Sequence, residues 1–285
     1  MGGHFEAKTG LRSLPNLAMS SNLSVDVLLL ILKNLDKVDL TAMCLVNKVC
    51  CSFSQDILYR NIEIYHHTRF QVCRTLAYST HLARRVRSFR VTFHNPKMES
   101  NEVDNLATAL RNMSSLRILA IYLEDQYPNI LDGCTFKLDS FSSNSSREEY
   151  YQKILNSQPS LTHVEMPNLA PDELRTVYDR SPTFDATCIP NLTRISAQVA
   201  WLRCLIPGRP VSEVDVSGYY VIDRDFIDWN FFTLSTAPIR KLTMTQDFIY
   251  DKPAELLASI FPSLVHLSID MIPDIYYEDV RGPFS

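Results

Sequence analysis

The stretch LSVDVLLLILKNLDKVDLTAMCLVNKVCCSFSQDILYRNIEI, Leu23 to Ile64, decides how the rest of the chain is read. Val27, Leu28, Ile31, Leu32 and Leu35 recur at i, i+3, i+4 spacing, which predicts a helix over 25–35 with these residues on one wide stripe. Leu29 and Leu30 then point away from that stripe, so the helix needs cover on two sides. Asp39 is a good N-cap for a second helix carrying Leu40, Met43, Cys44 and Val46. Lys48 to Leu58 offers a third, with Val49, Phe53, Ile57 and Leu58. Three short helices in about 40 residues cannot hide both faces of the first one, and the leftover apolar surface calls for a partner.

This stretch resembles an F-box, whose pattern is Leu-Pro-x-Glu-Leu-Leu-x-x-Ile-Leu-x-x-Leu, then Asp-Leu, then Val-Ser-Lys-Arg-Trp, then a Leu-Trp or Leu-Tyr. Leu23, Val27, Leu28, Ile31, Leu32 and Leu35 fall on the apolar positions. Asp39-Leu40 falls on the Asp-Leu pair, Val46-Asn47-Lys48 on Val-Ser-Lys, and Leu58-Tyr59 on the last pair. Ser24 stands for Pro, Asp26 for Glu, and Val49-Cys50 for Arg-Trp. The resemblance implies a small all-helical F-box over 23–64 that docks on a Skp-family adaptor protein, and through it on the cullin and RING subunits of a ubiquitin ligase. The implied adaptor-binding residues are Leu23, Ser24, Val27, Leu28, Ile31, Leu32, Leu35, Leu40, Val46, Lys48 and Tyr59.

After Ile64 the texture changes. An apolar-x-x-apolar-x-apolar pattern returns at Val86-Phe89-Val91, Leu116-Leu119-Ile121, Leu161-Val164-Met166, Leu192-Ile195-Ala197, Val211-Val214-Val216, Ile239-Leu242-Met244 and Leu264-Leu267-Ile269. The gap between Leu116 and Leu161 has room for one more copy, for instance Leu131-Cys134-Phe136. Helical stripes precede several copies: Val103, Leu106, Ala107 and Leu110; Tyr151, Ile154 and Leu155; Ala254, Leu257, Ala258 and Phe261. Pro159, Pro190 and Pro262 each sit two residues ahead of a copy, where proline stops a helix. Helix, turn and short strand repeating at roughly 20 to 30 residues is the signature of an α/β solenoid. It is similar to the divergent leucine-rich repeat that follows the F-box in many fungal proteins.

The expected fold class is therefore α+β: a loose tail over 1–22, the F-box over 23–64, and a leucine-rich-repeat-like solenoid with a parallel sheet over 65–285. Ser140 to Ser146 (SFSSNSS) reads as a mobile loop. Only Met271 to Ser285 follows the last copy, and a solenoid needs a polar cap, so a truncated C-terminus is expected.

Composition and motifs narrow the function classes. A net charge of −4 gives no general attraction to nucleic acid or an anionic membrane. Seven scattered cysteines show neither a disulfide framework nor C-x-x-C metal spacing, as expected of reduced thiols in a cytoplasmic or nuclear protein. The first residues lack the apolar core of a signal peptide, so the sequons at Asn22, Asn112, Asn144 and Asn191 are expected to be unused. Isolated glycines build no phosphate cradle, and no G-x-S-x-G elbow occurs. His66-His67 reads as solvated linker rather than a ligand pair. Arg84, Arg85, Arg87 and Arg90 are the strongest basic cluster, read as a solvated turn and strand edge with an anion-binding role as the alternative. No catalytic residue, metal site or cofactor is expected.

Side chains alternate along a strand, so the residues between the apolar ones line up on the opposite face. That row runs Ser88, Arg90, Thr92; Ile118, Ala120, Tyr122; His163, Glu165; Arg194, Ser196, Gln198; Glu213, Asp215, Ser217; Lys241, Thr243, Thr245; His266, Ser268, Asp270. It is polar almost throughout, and reads either as the binding face for a target protein or as plain solvated strand residues. Candidate contacts are Arg90, Ile118, Tyr122, His163, Arg194, Glu213, Asp215 and Lys241, with an apolar patch at Ile118, Ala120 and Tyr122 flanked by Arg90 and Arg194. The expected function is substrate recognition in a Skp/cullin/F-box ubiquitin ligase. The alternative is an adaptor-bound scaffold acting outside any ligase.

Overall fold

The computed structural model describes residues 24–65, 70–92, 98–123, 127, 129–144, 148–166, 184, 187–217, 229–246 and 254–270. The chain divides into two compact units, with the boundary between Ser54 and Gln55. Leu23, His66-His67 and the ends of the chain lie outside the described residues.

The first unit holds helices α1 (Val25–Lys33), α2 (Lys37–Met43) and the start of α3 (Lys48–Leu58). Each helix begins on a side chain that takes up orphan amide protons. Ser24 Oγ accepts from the Val27 amide at 3.3 Å. Asp36, rather than Asp39, caps α2: one carboxylate oxygen accepts from the Val38 and Asp39 amides at 2.9 and 2.8 Å. The helix thus starts a turn earlier than the sequence suggests, and Asp39 becomes a favourable first-turn acid. Asn47 Oδ1 accepts from the Cys50 amide at 2.8 Å and caps α3.

Among the described residues, the second unit is a nine-stranded, all-parallel sheet in which the strands lie in chain order. They are β1 (Asn61–Ile64), β2 (Ser88–Thr92), β3 (Ile118–Tyr122), β4 (Ser140–Ser143), β5 (His163–Glu165), β6 (Arg194–Ala197), β7 (Glu213–Val216), β8 (Lys241–Thr245) and β9 (His266–Asp270). Helices lie between them in sequence: α4 (Phe70–Tyr78), α5 (Thr80–Ala83), α6 (Ser100–Asn112), α7 (Glu148–Ser157), α8 (Val199–Leu205), α9 (Ala254–Ile260), and a 3-10 helix at Trp229–Leu234. All seven copies of the apolar pattern fall on strands, in one continuous register from Phe89 through Leu119, Val164, Ile195, Val214 and Leu242 to Leu267. The side chains of the first six copies form one core with the helical stripes of α6 and α7, while Leu267 and Ile269 of the last copy remain exposed.

One joint recurs before every strand after the first. The carbonyl just ahead of a strand accepts two successive amides of the next repeat: Arg60 O from Arg87 and Ser88, Arg87 O from Arg117 and Ile118, and so on to Arg240 O from Val265 and His266. The sheet is therefore held in register at its N-terminal rim by the same geometry eight times over.

Two strands depart from the sequence reading. Asn61–Ile64, assigned to the helical domain by sequence, is the first strand; Tyr59, Ile62 and Ile64 form one more copy of the pattern, masked by its neighbours in the helical stretch. Ser140–Ser143, read as a loop, is β4. The extra copy is Leu138-Phe141-Ser143, not Leu131-Cys134-Phe136. Serine has little intrinsic strand preference, but Phe141 is buried in the core and partners on both sides fix the register. The buried Gln158 pins the approach, accepting from the Leu138 amide at 2.8 Å and donating to Phe136 O at 3.2 Å.

Candidate functional site

The helical unit sorts its apolar residues differently from the expected stripe. Leu32 and Leu40 are buried, Leu28, Leu29 and Leu35 are half-buried, and Val27 and Ile31 are exposed. The inward line is 28, 29, 32, 35, so Leu29 turns inward and Ile31 outward, a rotation by about one residue that the all-apolar helix left undetermined. What faces solvent is Val25, Val27, Leu30 and Ile31 on α1, Val38 on α2, Leu45 and Val46 in the turn, and Val49 on α3. Leu30, Val38 and Leu45 are 64%, 77% and 87% exposed. Soluble proteins rarely leave so many aliphatic side chains uncovered in one short segment without a partner.

Of the eleven sequence-derived residues for this site, Val27, Ile31, Val46 and Lys48 are exposed. Ser24 is the helix cap. Leu32 and Leu40 serve the interior. Tyr59 belongs to the other unit, packed against the core of the sheet. Leu23 lies outside the described residues. Val25, Leu30, Val38, Leu45 and Val49 are not among the sequence-derived contacts, although the sequence places Leu30 off the main stripe of the first helix and Val49 among the apolar residues of the third.

In the second unit the predicted polar row is a single sheet face. One rung runs Ser88, Ile118, Ser140, His163, Arg194, Glu213, Lys241, His266, and the next runs Arg90, Ala120, Ser142, Glu165, Ser196, Asp215, Thr243, Ser268. All eight candidate contacts share this face. Ala120 does not form part of a surface patch: it is 3% exposed, a methyl group between the longer Arg90 and Ser142 of adjacent strands. Gln198 is likewise buried, as the residue that precedes α8.

An open pocket of about 530 Å³ occupies the face at the C-terminal ends of the strands, lined by Tyr65, Arg90, Tyr122, Glu165, Ser196 and Ser217 among others. Ile118 and Arg194 do not line it. Arg194 sits one rung lower, 3.7 Å from Glu213, three strands and roughly 14 Å from β3. Tyr65 Oη donates to Glu63 Oε2 at 2.6 Å, and Ser142 Oγ to Glu165 Oε2 at 2.6 Å. The hydrogen bond to Glu63 raises the Tyr65 phenol above its ordinary pKa, and burial does the same to Tyr122, opposed in each case by the nearby Arg90 guanidinium. Both rings stay neutral aromatic walls on either side of a cation.

Farther along the face, burial and then the Arg194 guanidinium hold His163 below the usual imidazole range. Burial and the carboxylates of Asp270 and Glu165 raise Asp215, while Ser196 Oγ, 3.1 Å away, stabilises its charged form. The face is thus cationic at Arg90 and anionic toward Glu165, Asp215 and Asp270. The arginine cluster read from sequence is dispersed: Arg85 pairs with Asp56, Arg87 donates to Ser115 O at 3.0 Å, and Arg90 alone reaches the pocket.

Among the described residues there is no group of His, Cys, Asp and Glu that could hold a metal ion, and no helix long and apolar enough to cross a membrane. Burial pushes the Cys73 thiol up to about 12 and Cys134 to about 11, so both stay protonated at neutral pH. Compared with known proteins, the chain matches no family model and no curated sequence.

Proposed function

We propose that the chain is the substrate-recognition subunit of a Skp/cullin/F-box ubiquitin ligase. The observation that carries this reading is the aliphatic surface of the helical unit, Val25, Val27, Leu30, Ile31, Val38, Leu45, Val46 and Val49, which lies on a segment with F-box spacing and is exposed among the described residues. In this reading that surface docks on a Skp-family adaptor, with each well-buried aliphatic side chain contributing roughly 1.5–3 kcal/mol. The nine strands act as a leucine-rich-repeat-like solenoid whose polar face holds a target protein at Arg90, Tyr122 and Glu165. The protein itself does no covalent chemistry. Its contribution is proximity, raising the local concentration of target lysines at a ubiquitin-charged conjugating enzyme. Cytoplasm and nucleus are where such a complex works.

The alternative is an adaptor-bound scaffold outside any ligase, and one affinity purification separates the two. Adaptor and cullin recovered together support the ligase; adaptor without cullin supports the scaffold. Recovery of neither from cells that express both overturns the F-box reading.

A further inference from the structure

We propose that the chain forms a two-fold symmetric dimer in which β9 pairs antiparallel with β9 of a second copy. Among the described residues β9 pairs on one side only, with β8. Among these residues nothing pairs with its other edge, whose amides and carbonyls are a template for another strand. The core-side positions of β9 are also uncovered. The equivalent residues of β8 (Leu242, Met244) and β7 (Val214, Val216) are 0–2% exposed, whereas Leu267 and Ile269 are 41% and 42% exposed.

The opposite edge of the sheet is different. In β1 the matching residues Ile62 and Ile64 are 8% and 0% exposed. A head-to-tail contact of β9 with β1 of another copy would set an uncovered apolar edge against a covered one. The partner that matches β9 is β9 itself.

Its sequence, His266-Leu267-Ser268-Ile269-Asp270, is self-complementary under a two-fold axis through Ser268. Residues directly opposite in an antiparallel pair point to the same face. The axis therefore sets Leu267 against the partner's Ile269 on the core side, and His266 against the partner's Asp270 on the polar side. Moving the axis by half a residue would lay the apolar face of one copy beside the polar face of the other. Moving it by a whole residue would lose both symmetry-related His266 to Asp270 pairs. Only the register centred on Ser268 uses all five residues and matches both faces, joining two sheets into one with no change in the polar face described above.

The register gives a direct test on the full chain. Opposed Cα atoms lie about 4.5–5.5 Å apart, inside the span a disulfide needs. Under mild oxidation Ser268→Cys should yield a covalent dimer whose 268–268 disulfide is identified by mass spectrometry; Leu267→Cys, which faces a different residue of the partner, should not link to itself. By light scattering the wild type should be a dimer. Leu267→Lys with Ile269→Lys should weaken its dissociation constant at least about a hundredfold, since charged side chains would be buried against each other. A wild type that stays monomeric at every concentration, including because residues 271–285 occupy the edge, overturns the proposal. So does a dimer that survives the double substitution, or cross-linking at 267 in place of 268. Should the double variant lose the circular dichroism of the wild type, the cross-linking pair decides alone.

Discussion

Ser142 Oγ donates a 2.6 Å hydrogen bond to Glu165 Oε2 across β4 and β5. This ties the least strand-like sequence in the sheet to the carboxylate at the centre of the polar face. The bond exists because Phe141, one residue earlier, points the other way into the core and is fully buried. Phe141→Ala should therefore cost about 3–5 kcal/mol of stability, read by urea denaturation. Ser142→Ala should cost about 1 kcal/mol. Equal costs for the two would mean that β4 is not anchored through Phe141.

On the helical unit, exposure separates folding from binding. Leu30→Asp with Val46→Asp changes side chains that are 64% and 57% exposed, so helix content should stay at the wild-type level while adaptor binding is lost. Leu32→Asp, at a fully buried position, should instead unfold the unit. Calorimetric titration with the adaptor, alongside circular dichroism, distinguishes the cases. Undiminished binding by the double variant would remove this surface from the interface.

On the sheet face, Arg90→Ala with Tyr122→Ala should abolish target capture and leave adaptor binding intact, because both residues line the pocket of the second unit. Arg194→Ala, outside the pocket and paired with Glu213, should have the smaller effect on capture. Retention of the target by the first variant would place its site elsewhere on the chain.

The acidic end of the face gives a pH signature. The folded state raises the Asp215 pKa above 3.8, chiefly through burial, so the folded chain holds this proton more tightly than the unfolded one. Its stabilising effect is present below 3.8 and is lost as pH rises through the folded value. At neutral pH ionised Asp215 is a burden, and Asp215→Asn should raise the melting temperature. That gain should fade as pH drops to about 3.8. A gain independent of pH, or a loss at neutral pH, would contradict this account.

Arg209 is 1% exposed and donates to four backbone carbonyls: Cys188 at 2.9 Å, Cys204 at 3.3 Å, Leu205 at 3.2 Å and Pro207 at 3.1 Å. Two of these lie at the C-terminal end of α8, where a cation also meets the negative end of the helix. Arg209→Met keeps the apolar stem but leaves the carbonyls without this donor, and should cost about 3–5 kcal/mol. A melting temperature within a degree or two of wild type would show that water replaces the guanidinium.

The sequence by itself determined the repeat and the two-faced character of the strands. Leucine-type residues at fixed offsets, with prolines at the joints, leave little choice about which side chains go inside, because a one-residue slip would turn every one of them out. It also showed that the helical stretch carries more apolar surface than three short helices can bury. It could not decide which face of α1 turns inward, since Leu28, Leu29, Leu30 and Ile31 are interchangeable by hydrophobicity; the neighbouring helices make that choice. It could not reveal β4, whose serines become a strand only because β3 and β5 supply hydrogen bonds on both sides. Nor could it show that Arg90 and Tyr122, one rung apart on adjacent strands, open onto one pocket while Arg194 does not. Those relationships depend on distances between strands far apart in the chain, and only the assembled sheet sets them.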